Sequence, residues 1–234
     1  MKEYMNSKFK RSNVLSIIIL FLENICEGNS LILNNFFNEI NILINQTIDK
    51  TILNSTYSQY VDQIIIDGNI QNYIDYKIQN LDNKINNITI KWKTQLTSCY
   101  AIFKNLNNII KVDLSKFDSS NVLTMYHMFF GCGSLISINL NNFGTRKATD
   151  MNGMFDLCSS LTSLDLSNFI TSSVTDISGM FYGCSSLITL DLSSFDKSEV
   201  IKMTHVFNGC NSLISVNLNS FDTSKTTTLY HFFQ

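Results

Sequence analysis

The sequence repeats itself at a fixed interval of 26 residues. Cys132, Cys158, Cys184 and Cys210 are spaced by it, and so are Phe103, Phe129, Phe155, Phe181, Phe207 and Phe233. A second Phe column (117, 143, 169, 195, 221) and a Leu column (114, 140, 166, 192, 218) keep the same register, with no insertion from about residue 102 onward. A fixed period of this length marks an array of like units, each too small to bury its own apolar face and stabilised by stacking on its neighbours.

Each copy reads L-x-x-L-[DN]-L-x-x-F, then a Ser/Thr/Asp-rich turn, then V-x-x-M-x-x-M-F-x-x-C. Leu164 and Leu166 alternate as in a half-buried strand. In Val174, Ile177, Met180, Phe181 and Cys184 the apolar spacing changes to three and four, which predicts a short helical or 3₁₀ segment. The expected architecture is α/β: a parallel solenoid of about five rungs over residues 99–234, each a strand plus a short helix, with the last repeat incomplete.

The stretch "SLTSLDLSNFITSSVTDISGMFYGC" resembles the BspA-type leucine-rich repeat, also described as DUF285 or the mycoplasma-lipoprotein-type repeat. The resemblance covers about residues 102–234. Leu106 stands where that pattern has Cys, Gly144 and Ile170 where it has Asp, and "GTRKATDM" (144–151) replaces its Ser/Thr-Val run. The resemblance implies a leucine-rich-repeat solenoid and a non-catalytic binding protein, adhesin-like and at the cell surface or secreted. The alternative is an intracellular interaction scaffold of a protist or large virus, with a cytoplasmic location. It carries over no catalytic residues and no cofactor.

Residues 1–98 show no 26-residue echo. Ile74, Ile78, Leu81, Ile85, Ile88 and Trp92 step by four and three, and Leu33, Phe36, Ile40 and Leu43 do likewise. This predicts two to four helices, broken at Asp67-Gly68, the last capping the first rung. Lys8, Lys10 and Arg11 precede the apolar run 14–22, so residues 8–26 resemble a secretory signal. Glu23 and the absence of a small-x-small site favour a buried or interfacial helix instead, and the run is too short to span a bilayer. The sequons at Asn45, Asn54 and Asn87 are accidents of an Asn-rich chain. That Asn and Ile bias, with no Pro, is read as A/T-rich codon usage rather than as a prion-like character.

The net charge of −2 gives no electrostatic case for nucleic acid. The four ladder cysteines fall on a line, whereas zinc needs ligands converging on a point. Adjacent-rung disulfides are geometrically allowed, but Leu106 at the same position favours buried free thiols. His127, His205 and His231 share one repeat position with Gly153 and Gly179, so they follow a structural period. Residues 1–98 contain no His, and no enzyme motif occurs.

What remains is the outward strand face. Its candidate binding residues are Asp113, Asn139, Ser163, Asp165, Ser167, Thr189, Asp191, Ser193 and Asn217, flanked by Lys111. Stacked Asp165 and Asp191 repel, a cost that a bound cation or basic partner would justify, although a merely solvated face fits better. The expected partner is a protein or glycan. No polar segment follows "LYHFFQ", so the C-terminal rung is expected to offer an edge for self-association, or the array to continue in a longer chain.

Overall fold

The computed structural model describes residues 38–44, 51–71, 77–78, 85–195, 199–219 and 223–233. All lie in one compact unit, Phe37–Gln234. The signal-like segment 8–26, and Leu33, Phe36, Ile74 and Leu81 of the predicted helical stripes, fall outside them.

The described part of the first hundred residues is built of strands, which corrects the expected helices. β1 (Glu39–Ile44), β2 (Val61–Ile66), β3 (Asn69–Ile70) and β4 (Asn86–Trp92) join β5 (Ile109–Asp113) and β6 (Ser137–Asn139) in one sheet of order β3-β2-β4-β1-β5-β6. The local reason is period two. Ile40, Ile42 and Ile44 in β1, and Ile88, Ile90 and Trp92 in β4, are buried while the residues between them are not. Ile and Thr also suit a pleated, half-buried surface. Asp67 and Gly68 have φ of 48° and 84°, so they form the tight turn between β2 and β3 rather than a helix break. The one helical element among the described residues is a 3₁₀ turn, Ser55–Tyr60, capped by the Asn54 side chain.

β1 runs antiparallel to both β4 and β5, with Ile42 opposite Ile88 on one side and Val112 on the other. The edge of the first repeat strand is therefore covered by a strand, not by a docked helix. Lys116 fixes the junction: its carbonyl accepts from the Glu39 N–H at 3.1 Å and its ammonium meets the Glu39 carboxylate at 2.7 Å.

From β5 onward the pairing turns parallel. β5 pairs β6, and β7 (Thr189–Asp191) pairs β8 (Ser215–Asn217) in a separate two-stranded sheet. Residues 161–166 between them take no strand assignment, so the ladder of strands is interrupted at the third copy. A second line of parallel bridges is unbroken: Ser98, Thr124, Asp150, Asp176, Lys202 and Thr228, each joined to the next.

The predicted helical segment of each copy is a run of turns, and the hydrogen bonds give the reason. In the second copy, Met154, Asp156 and Cys158 donate within the unit, to Met151, Gly153 and Phe155. The alternate residues Gly153, Phe155 and Leu157 donate instead to Ser178, Met180 and Tyr182 of the next unit. Half of the N–H groups thus leave the unit, which an α-helix does not allow. The path needs left-handed residues at two places per copy. Ala101, His127, Gly153, Gly179, His205 and His231 occupy one, with φ of 51–60°. Asn105, Gly131, Leu157, Gly183 and Gly209 occupy the other, with φ of 59–77°. The His/Gly column of the sequence is thereby explained, since Gly and, less readily, His tolerate this conformation.

The predicted core columns are buried. Phe103, Phe129, Phe155, Phe181 and Phe207 stack with successive centroids 5.3, 5.7, 6.0 and 5.6 Å apart. Phe117, Phe143, Phe169 and Phe195 form the second column at 6.2 Å per step, and Trp92 meets its first ring edge-on at 6.3 Å. Phe221 lies outside the described residues. Burial declines in the last copy, where Cys210, Leu213, Val216 and Leu218 are only partly covered and Ile214 is 82% exposed.

Candidate functional site

The outward face of the strands carries the polar residues that the repeat leaves over. In β5 and β6, Asp113 stands opposite Asn139 and Lys111 opposite Ser137; in β7 and β8, Asp191 stands opposite Asn217 and Thr189 opposite Ser215. Ser163, Asp165, Ser167, Thr189, Asp191 and Ser193 are exposed, while Asp113, Asn139 and Asn217 are half-buried. The strand register brings Asp113 to Asn139 and Asp191 to Asn217. It does not pair Asp165 with Asp191, because residues 161–166 form no strand.

The Asp/Asn column has a structural origin. Each side chain accepts a hydrogen bond from the backbone N–H two residues on: Asp113 from Ser115 at 2.8 Å, Asn139 from Asn141 at 3.1 Å, Asp165 from Ser167 at 2.9 Å, Asp191 from Ser193 at 2.8 Å and Asn217 from Asn219 at 3.1 Å. These bonds fix the turn that leads from the strand toward the buried Phe, the usual role of Asx side chains in turns. The backbone and side-chain hydrogen bonds of Ser167 hold the Asp165 carboxyl below the ordinary carboxylate range, and the Ser193 side chain and backbone do the same for Asp191. A bound cation is therefore not needed to account for like charges along this face.

The same face deepens where the repeat meets the N-terminal strands. A groove of about 760 Å³ runs across β4, β1, β5 and β6. Lys111, Asp113, Asn139 and Asp165 line it together with Asn41 and Asn87 from the N-terminal strands. Sequence reasoning identified Asp113, Asn139 and Asp165 but missed Asn41 and Asn87. Their alternation with Ile40, Ile42, Ile88 and Ile90 was the available signal.

The ladder cysteines belong to the core. Cys132, Cys158 and Cys184 are buried, Cys210 is half-buried, and all are free thiols. Each Sγ donates to the carbonyl of a Phe 29 residues earlier: Cys132 to Phe103, Cys158 to Phe129, Cys184 to Phe155 and Cys210 to Phe181, at 3.0–3.2 Å. Cysteine here is a small apolar group with one weak donor, and the donor is used. Burial pushes the Cys132 thiol up to about 12 and Cys210 to about 11, and Cys158 well above the ordinary value. These are poor nucleophiles. Among the described residues no three of His, Cys, Asp or Glu converge as a metal site requires. Nor is any helix among them long and apolar enough to cross a membrane.

At the turn edge, Lys104 sits 4.8 Å over the Phe130 ring, which in turn packs on His127 with centroids 4.6 Å apart. His127 Nδ1 and Asp156 Oδ1 are buried without hydrogen-bond partners. Burial, followed by Lys104, lowers the His127 pKa, and burial raises Asp156 to about 6.

The family described as "Mycoplasma protein of unknown function, DUF285" matches residues 71–168, 94–214 and 158–234. Among solved structures, the crystal structure of the T. pallidum leucine rich repeat protein (TpLRR) is similar at 20% identity and a TM-score of 0.34. That likeness covers 51% of this chain and 61% of the other, less than two thirds of its length. No curated protein sequence matches the chain. The 26-residue unit and a family match that runs through residues 71–234 make the chain a member of the DUF285 family.

Proposed function

We propose that the chain is a non-catalytic binding module, a leucine-rich-repeat solenoid over residues 99–234 whose strand face docks a macromolecular partner, in an adhesive role at the cell surface. The groove across β4, β1, β5 and β6 carries this reading. It is about 760 Å³ and spans four of the six strands of the larger sheet. Its lining includes one cation, Lys111, and two carboxylates, Asp113 and Asp165, among short amide and hydroxyl side chains. Such a mixture reads the charge pattern and hydrogen-bonding groups of a protein surface. The surface and adhesive setting is supported by the resemblance to BspA-type repeats.

The experiment is a protein and glycan array probed with the full chain and with a Lys111→Glu/Asp165→Lys variant. Partner signals that vanish in the variant while its thermal unfolding is unchanged support the strand face. Signals that survive charge reversal place recognition elsewhere and defeat the proposal.

A further inference from the structure

A second concavity lies where the 3₁₀ turn Ser55–Tyr60 faces the start of the repeat. It encloses about 330 Å³ and shares no residue with the strand groove. All ten of its lining residues are uncharged, and three are tyrosines: Tyr57, Tyr60 and Tyr100. Gln59, Gln95 and Thr97 add amide and hydroxyl groups.

The site is held in shape before any ligand arrives. Tyr57 is 7% exposed, packs edge-on against Trp92 at 6.4 Å, and its hydroxyl donates to the Tyr100 carbonyl at 2.9 Å. The Gln95 side chain donates to the Ser120 hydroxyl at 2.6 Å and accepts from the Asn121 amide. The Tyr60 carbonyl accepts from the Lys93 N–H at 2.9 Å, which fixes the end of the 3₁₀ turn. Against these fixed walls, Tyr60 and Tyr100 remain 41% and 52% exposed. Tyr100 also stacks flat on Tyr126, with centroids 5.2 Å apart and planes 7° from parallel, so its ring cannot turn edge-on without losing that contact.

We infer that this pocket binds a neutral sugar residue, with Tyr60 and Tyr100 as its aromatic platform. A pyranose offers a patch of weakly positive C–H groups on one face and hydroxyls around its rim. The negative faces of tyrosine rings suit the first, and amide and hydroxyl side chains suit the second. The volume is at the low end of the range for small-molecule sites, about 300–1,000 Å³. It accommodates a sugar ring, whereas an extended peptide needs a trough several residues long at about 3.3 Å each. The uncharged lining selects against sialic acids and sulfated sugars, whose charge would be desolvated without a partner.

The test is saturation-transfer NMR on the full chain with methyl β-glucoside, methyl β-galactoside and methyl N-acetyl-β-glucosaminide. Transfer to the ring protons of at least one is expected, with a Kd on the order of 1 mM. Tyr100→Ala should weaken it about tenfold or more, and Tyr100→Phe should keep it within about twofold, since the ring face does the work. Asp165→Lys in the strand groove should leave it unchanged, which separates this site from the proposal above. No transfer to any of the three at about 50 mM, transfer that persists in a Tyr60→Ala/Tyr100→Ala variant, or binding of a proline-rich peptide or an anionic sugar in place of neutral ones would overturn the inference.

Discussion

Replacing Phe181 by Ala is the sharpest probe of how the copies hold one another. Phe181 is fully buried and lies between Phe155 at 6.0 Å and Phe207 at 5.6 Å, with planes within 7° of parallel on both sides. Its ring is a wall for two neighbours at once. Phe→Ala in a core costs about 3–5 kcal/mol through lost transfer energy and the cavity left behind. Two stacking contacts of about 0.5–1.5 kcal/mol each place this site at the upper end. Phe233 provides the control at the same repeat position. It stacks on Phe207 at 5.1 Å, but on that one side only within the column, and it is 58% exposed. Phe233→Ala should therefore cost about 1 kcal/mol. Urea titration followed by far-ultraviolet circular dichroism measures both. The expected difference of at least 2 kcal/mol corresponds to roughly 4–8 °C in Tm for a domain of this size. The slope against urea should also fall in Phe181→Ala, because a weakened seam lets the flanking copies unfold separately. Equal losses for Phe181 and Phe233 would refute the stacked-wall account.

Glycines at one repeat position should differ in a way that the neighbouring copy dictates. A Cβ on Gly153 would meet His127 Cδ2 at 2.3 Å, whereas one on Gly179 finds nothing nearer than 3.8 Å, at closely similar φ of 58° and 60°. Gly179→Ala should cost about 1–2 kcal/mol for the left-handed backbone alone, and Gly153→Ala about 1–3 kcal/mol more, in thermal melts. The thiols should alkylate in order of exposure in the native state, Cys210 before Cys158 and Cys184 by mass spectrometry, and reductant should leave Tm unchanged. Asp156 has its folded pKa raised from 3.8 to about 6, so the native state binds more protons than the unfolded chain between those values. Its contribution is present below pH 4 and is lost as pH rises toward 6. Asp156→Asn should flatten that part of the stability profile and gain about 1 kcal/mol at pH 7, after allowance for solvent screening.

The repeat part of the fold was legible because its signal is redundant. Five or six copies of each column say the same thing, and Leu166, Phe169, Val174 and Phe181 are all buried as their spacing requires. The short segment after Val174 was misread because a run of turns also brings apolar residues inward at three and four. What separates it from a helix is the alternation of N–H groups between units, which no periodicity encodes. The Gly or His at 127, 153, 179 and 205 was the visible trace of it. The end of the stripe, Ile88 and Trp92, was misread as helical because a sparse three-and-four pattern was selected over the tighter alternation in "NNITIKW", where β-branched residues also favoured strand. On the strand face, the outward position of the polar residues was legible but the structural role of the Asp column was not. The Asp column reads as a binding feature until the bonds to Ser167 and Ser193 show it closing turns. The tyrosine pocket has no local signature, since its walls come from residues 56–60 and 94–100 and meet only when Tyr57 reaches the Tyr100 carbonyl.

Because the turn segments from Cys99 to Phe207 hand alternate N–H groups to the next copy, the backbone donor–acceptor pattern of one such seam is that of the next. Cutting the gene at equivalent codons of two copies and rejoining it would put, for example, the donors of Met151 and Gly153 opposite the acceptors of Lys202 and Thr204 instead of Asp176 and Ser178. The bonding would be intact. Recombination between copies can therefore lengthen or shorten this protein in steps of 26 codons, changing the reach of its strand face while each surviving seam folds as before. Copy number becomes a heritable variable that selection can adjust without passing through an unfolded intermediate.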